Sequence, residues 1–314
     1  CHTFENSLAM SNKENPSDFR NFRMLYYEQL GLRNVDQMKA LEHLLKEDPL
    51  DVDKIKTFTQ QYLLPSVYRV YVWKVLLGII PVYKESVDFV TNHRNQQFLD
   101  LKQALITMKM VSPCSHSPKT AVLAILLEHG NLSILHNTHV KHYAMKVYIL
   151  DSISEITFQL TQNETDTFWI AKEIFHAQEM FLSVFAKLPY YVNYYLQVED
   201  QRLFQHLSEI QLFKMLPYDK WFQTYFASVF AESSECLCKI WDKLIAGSCH
   251  ILVFVCVSLL LTYSIQLKEL NCDAALKHVN RVLPQQCGQT VVDKAIELWE
   301  QHRKELTAKL ATHS

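Results

Sequence analysis

Apolar residues recur at three- and four-residue intervals along almost the whole chain, the spacing of one face of an α-helix. Val35, Met38, Leu41, Leu44 and Leu45 make the first such stripe. Asp51 stands where an N-cap opens a helix to about Gln61. Ser66, after Pro65, caps another that ends near Gly78, with Pro81 barring continuation. Ser86 opens a long helix to about Val111. Ser117-Pro118 pairs a cap with a first-turn proline, and Gly130 closes that helix just after His129. Further helical segments fall at 139–162, 165–187, 199–208, 217–227, 233–246, 249–268, 272–282 and 289–306. Alternating strands bounded by turn pairs, internal repeats and low-complexity linkers do not occur. The pattern predicts an all-α protein with a polar tail over 1–18, one helical domain over 19–306 and a C-terminal tail over 307–314.

Composition narrows the function classes. With 314 residues, 49% of them hydrophobic, the chain can bury a large core. Its longest apolar run, Ile251 to Tyr263, falls short of the roughly 20 residues that a bilayer core requires. Lys243, His250 and Lys268 bracket that run, so it reads as a buried central helix. The 5 glycines, at 31, 78, 130, 247 and 288, lie too far apart to build a phosphate cradle. A net charge of −2 offers no general attraction to nucleic acid or anionic lipid. The 8 cysteines form no C-x-x-C pair and suit reduced, packed thiols of the cytosol. His136, His139 and His142, with His129 nearby, spread around a helix rather than converge on a metal. No metal and no cofactor are expected. The chain starts Cys1-His2-Thr3 without methionine, so the natural N-terminus is expected upstream.

Several segments in order resemble the TBC domain, the helical fold of Rab-type GTPase-activating proteins. Arg69, Trp73 and Leu76-Leu77-Gly78 are similar to its opening R-x-x-x-W…L-L-G helix. Phe168-Trp169 resembles its central Phe-Trp pair. Asp200, Leu203, His206 and Leu207 look like D-x-x-L-x-x-H-L, and Leu216-Pro217-Tyr218 with Trp221 and Phe226 matches the next helix. Ile240-Trp241-Asp242, then Gly247, resembles its I-W-D…G segment. Trp73, Phe168, Trp169, Trp221 and Trp241 read as structural anchors. Arg69 lies on an otherwise apolar helix, so it must either meet a carboxylate, such as Asp242, or reach water.

The resemblance implies that an active member works with two fingers, an Arg from I-x-x-D-x-x-R and a Gln from Y-x-Q-G, between the Arg69–Trp73 helix and Phe168. Such an arginine is worth roughly 10³–10⁵ in rate. From Asn95 to Gln201 there is no arginine at all. Arg94 comes too early and Arg202 too late, and the one Y-x-Q, Tyr195-Leu196-Gln197, follows the Phe-Trp pair and lacks the glycine. No catalytic residue is expected, which leaves a binding subunit. An atypical Rab-directed GTPase activator is the rival reading.

The helix 86–111 carries apolar residues on two sides. Val87, Val90, Phe98, Leu101, Leu105 and Met108 share one face; on the opposite side Leu99, Ile106 and Met110 project within about 20° of one direction, with Gln103 between them. The second stripe is another internal contact, a partner-binding face or a set of isolated surface apolar residues, and Asp100, Lys102 and Lys109 beside it suit a rim. Residues 64–69, 216–221 and 248–255 resemble the branch of the family that assembles with hamartin and tuberin. The resemblance implies a helix of hamartin's coiled coil on the Leu99, Gln103, Ile106, Met110 stripe, and tuberin held through it. It also implies that a Rab-type or Rheb GTPase is met only indirectly. The expected location is cytoplasmic, with recruitment to lysosomes or vesicles through that complex.

Overall fold

A computed structural model describes residues 35–132 and 141–312, and within them every regular element is helical. The order is α1 (Val35–Lys46), α2 (Val52–Gln61), α3 (Ser66–Leu76), α4 (Val87–Thr107), α5 (Pro118–Glu128), α6 (Lys141–Thr161), α7 (Glu164–Phe185) and α8 (Leu188–Glu199). Then come α9 (Gln201–Glu209), α10 (Tyr218–Gln223), α11 (Ser234–Ile245), α12 (Ile251–Thr262), α13 (Ser264–Leu267), α14 (Cys272–Val279) and α15 (Gln285–Thr312). The polar tail expected over 1–18 lies outside the described residues.

Two groups of helices share one core. In the first, α5, α6 and α7 pack on one another and α4 lies across α5 and α7. In the second, α12 is the axis, flanked by α8 and α15. All ten residues from Ile251 to Leu260 are buried, so this helix is hydrophobic on every side because protein surrounds it on every side. No helix of the described residues is long and apolar enough to cross a membrane. Between the groups, α11 touches α2, α3, α6 and α15.

Several expected boundaries shift for identifiable reasons. Asp51 is the N-cap of α2 and accepts from the Lys54 amide at 3.0 Å. Ser66, expected as a cap, is the first helical residue, because Pro65 takes the extended cap position. The helix expected to reach Val111 stops at Thr107. Lys109 turns left-handed (φ 60°), its amide bonds the Ile106 carbonyl, and the Met110 amide bonds the Leu105 carbonyl, which closes the end as a Schellman motif. The same closure, with Tyr225 and Phe226 left-handed, ends α10 at Gln223 instead of 227. The run expected over 249–268 breaks at Tyr263 into α12 and α13. Helix α8 was not expected: Pro189 sits in its first turn, where proline is tolerated, and Tyr191, Val192, Tyr195 and Leu196 form its buried face. The last helix runs beyond 306, with Leu306 and Leu310 buried.

Candidate functional site

The cluster around Asp242 holds the N-terminal helices to α11. Asp242 is wholly buried and Arg69 nearly so. Arg69 Nε donates to Asp242 Oδ1 at 3.0 Å and Nη2 donates to Oδ2 at 3.2 Å. The same guanidinium reaches the Leu64 carbonyl at 3.0 Å, and Trp73 Nε1 donates to Asp242 Oδ1 at 2.8 Å. Arg69 thus meets a carboxylate rather than water. Burial alone would lower its pKa, but Asp242 outweighs that and raises it. Trp73 lies 6.2 Å from Trp241, whose indole donates to the Tyr225 carbonyl at 3.1 Å. Trp221 stacks on Phe226 at 5.7 Å, and Phe168 meets Trp169 edge-on at 5.0 Å. All are buried, as core anchors should be.

Next to Asp242, Lys243 is also buried. Its ammonium donates to the carbonyls of Thr59, at 2.7 Å, and Tyr62, at the open C-terminal end of α2. Burial pulls its pKa down to about 8. Nothing in the local sequence signals this lysine. It sits in the same helix turn as Asp242, and only the fold brings α2 to it.

The stripe singled out on α4 divides in the structure. Phe98 and Leu105 are buried, with Phe98 5.4 Å from Phe168. Leu99 is 45% exposed, Gln103 is exposed and Ile106 is half-buried. Met110 does not continue the stripe, because the chain has left the helix and folds it back against the core. Met108, expected on the core face, is exposed at the helix end for the same reason. Lys102, expected at a rim, turns inward to Glu164 and to the Ser115 carbonyl. Glu164 also accepts from the Ser117 amide at 3.1 Å, which fastens the α4–α5 connection to the start of α7. Phe89, 66% exposed and 4.1 Å from His93, was missed. It lies seven residues before Gln96 and fourteen before Gln103, the spacing that keeps residues on one helix face.

The residues weighed as stand-in fingers are placed as follows. Arg94 lies 4.4 Å over the Trp169 ring and donates to the Gly78 carbonyl at 3.0 Å. Tyr195 is buried, its pKa pushed up to about 12 by burial, whereas Gln197 faces out. Arg202 is exposed on α9. Among the described residues no three metal-ligating side chains converge. His129 instead bonds the Ile125 carbonyl, while His136 and His139 lie outside the described residues.

The fold has a solved counterpart. The crystal structure of the Ypt/Rab-GAP domain of Gyp1p superposes with a TM-score of 0.56, over 85% of this chain and 99% of that one, at 15% identity. The model of the Rab-GTPase-TBC domain matches residues 143–268. TBC1 domain family member 7 of Xenopus tropicalis is 37% identical over 286 residues, 90% of this chain and 95% of that protein. The Homo sapiens protein of the same name is 37% identical over 284 residues, again 90% of this chain and 95% of the relative. With that identity over nearly its whole length and the matching helical fold, the chain belongs to the TBC domain family.

Proposed function

We propose that this chain is a non-catalytic TBC-fold subunit that binds a helix of hamartin's coiled coil and, through it, tuberin. In this role it stabilises the tuberous sclerosis complex, a Rheb GTPase-activating assembly that restrains growth signalling by the target-of-rapamycin kinase. The reading is carried by the outward face of α4, where Leu99 and Ile106 stand one heptad apart with Gln103 between them, in a chain 37% identical to TBC1 domain family member 7. A partner helix laid along that face would cover two apolar anchors and exclude water from between them. Phe89, on the adjoining flank, extends the apolar surface toward the start of α4.

Catalysis is assigned to tuberin because this chain offers no fork of the right kind. The interval 95–201 has no arginine, and Arg94 is committed to Trp169 and Gly78. The same interval contains no Y-x-Q ahead of Phe168. The protein is cytoplasmic in this reading and reaches the lysosome or vesicle surface through its partners.

Two measurements test the proposal. Ile106→Asp abolishes binding of a hamartin coiled-coil fragment, because it buries an unpaired carboxylate only in the complex, at a cost of several kcal/mol. The free variant melts within a few degrees of wild type. Unchanged titration curves would remove α4 as the docking face. Single-turnover GTP hydrolysis by a panel of Rab proteins stays at its intrinsic rate when the chain is added. A hundredfold stimulation, lost on changing Arg94 or Gln197, would make it an atypical GTPase activator instead.

A further inference from the structure

An apolar cleft of about 250 Å³ runs between the C-terminal half of α7 and the C-terminal ends of α3 and α11. Leu77, Ala177, Phe181 and Ile245 line its walls, each partly exposed, and the buried Tyr225 and Trp241 lie beneath. Met180, 67% exposed, stands at the lip. The floor is held in unusual backbone. Tyr225 and Phe226 have φ of 51° and 62°, a region that side chains with a Cβ disfavour, and the Trp241 indole bonds the Tyr225 carbonyl there. None of Phe89, Leu99, Gln103 or Ile106 lines this cleft, so it is separate from the α4 face.

The α7 wall carries a carboxylate, and a lysine stands at the opposite rim beside Gly247. Glu173 stands half-buried on the α7 wall and forms no ion pair among the described residues. The neighbouring lysines are engaged elsewhere: Lys172 with Glu128 at 2.7 Å and Lys146 with Glu179 at 3.5 Å. On the opposite wall, Gly247 follows the end of α11 with φ 92°, and Lys56 of α2 lies against it; a Cβ there would come 3.1 Å from Lys56 Cε. Lys56 is exposed and likewise has no ion pair among the described residues.

We propose that this cleft docks an amphipathic helix of a partner protein, its apolar ridge seated over Tyr225 and Trp241. One flank of that helix carries a basic side chain for Glu173, and the other carries an acidic one for Lys56. A cleft bounded by one helix and two helix ends is the kind of groove that accepts anchors at i, i+4 and i+7. Opposite charges, Glu173 on the α7 wall and Lys56 at the rim beside Gly247, select an occupant whose flanks are opposite in sign and disfavour one with like-charged flanks.

The test uses the full chain and three stapled amphipathic helices of about four turns, with identical Leu/Phe ridges. One carries Arg on one flank and Glu on the other, one carries Arg on both, and one carries Glu on both. Fluorescence anisotropy is expected to show saturable binding of the mixed-flank helix, weakened about fivefold or more in the other two. Ala177→Trp, which fills the cleft, abolishes binding. Glu173→Lys transfers the preference to the all-Glu helix, and Ile106→Asp leaves every affinity unchanged, so this proposal fails or stands apart from the hamartin reading. Absence of saturable binding, equal affinity for all three helices, or indifference to Glu173→Lys overturns it. If Ala177→Trp does not fold, the Glu173→Lys result decides alone. Binding that appears only after residues 1–34 are removed would mean that the chain's own N-terminal segment is the occupant. A monomer–dimer equilibrium abolished by Ala177→Trp would assign the cleft to a second copy. Either result overturns the proposal.

Discussion

Asp242→Asn removes the charge of the carboxylate that Arg69 hydrogen-bonds. Asp242 is fully buried and accepts from both Arg69 nitrogens and from the Trp73 indole. Asparagine has nearly the same volume, so no cavity opens and the Trp73 bond to Oδ1 can persist. The amide nitrogen, however, then faces a guanidinium that can only donate. A buried cation left without its partner costs about 3–5 kcal/mol, against a net domain stability of roughly 5–15 kcal/mol. The expected consequence is a melting temperature lower by roughly 5–8 °C in a protein of this size.

The paired variant separates charge from packing. Arg69→Met with Asp242→Leu removes both ions and keeps the volume apolar, a replacement that is often neutral or stabilising. It leaves the Trp73 indole and the Leu64 carbonyl without their partners, so a loss of about 1–3 kcal/mol remains. Urea unfolding of wild type, Arg69→Met, Asp242→Leu and the paired variant closes a double-mutant cycle. If Asp242→Asn stays within about 1 kcal/mol of wild type, or if the double loss equals the sum of the singles, the claim that this pair is coupled and buried is wrong.

Two further outcomes follow from burial. Lys243 has a folded pKa of about 8 against an ordinary value of 10.5, so between those values the unfolded chain binds more protons and stability rises with pH. The gain is at most about 3 kcal/mol, and it is read as the difference in pH slope between wild type and Lys243→Met, which cancels the other titrating groups. Equal slopes from pH 7 to 10 would refute a buried, depressed lysine. Iodoacetamide at pH 8 should label the exposed Cys114 in the native protein and spare Cys238, Cys249 and Cys256, whose thiols burial pushes up, the first two to about 12. Peptide mass mapping that finds Cys256 alkylated without denaturant would contradict the buried position of α12.

Helix periodicity carried most of the fold, because a chain with this many apolar stripes has few ways to bury them. It failed where a local rule and a tertiary one compete. Pro189 and four tyrosines look like an interruption, yet proline is harmless in a first turn and Tyr191 and Tyr195, four apart, form one buried face. The end of α4 was misplaced because nothing in Met108-Lys109-Met110 resembles the glycine that usually closes a Schellman turn. That one boundary moved Met110 out of the candidate stripe and exposed Met108. Lys102 looked like a rim cation because periodicity gives the direction of a side chain, not what lies in that direction. Its carboxylate, Glu164, is 62 residues away.

The Arg69–Asp242 pair shows the opposite case, a contact across 173 residues that was anticipated as one of two alternatives. A guanidinium on an apolar helix demands either an anion or solvent, and the I-W-D segment supplies an aspartate that needs a cation for the same reason. Sequence could not choose between the alternatives, since burial is a property of the assembled core. Once assembled, α11 holds two neighbouring helices with two consecutive residues: Asp242 fixes α3 through Arg69, and Lys243 fixes the end of α2 through its carbonyls. None of these atoms faces the outward side of α4. Loss of the Asp242 cluster should therefore lower stability before it changes affinity, and loss of Ile106 should do the reverse. A variant in either place that moved both quantities together would mean that α4 is braced through α11, and the separation of scaffold from docking face would have to be given up.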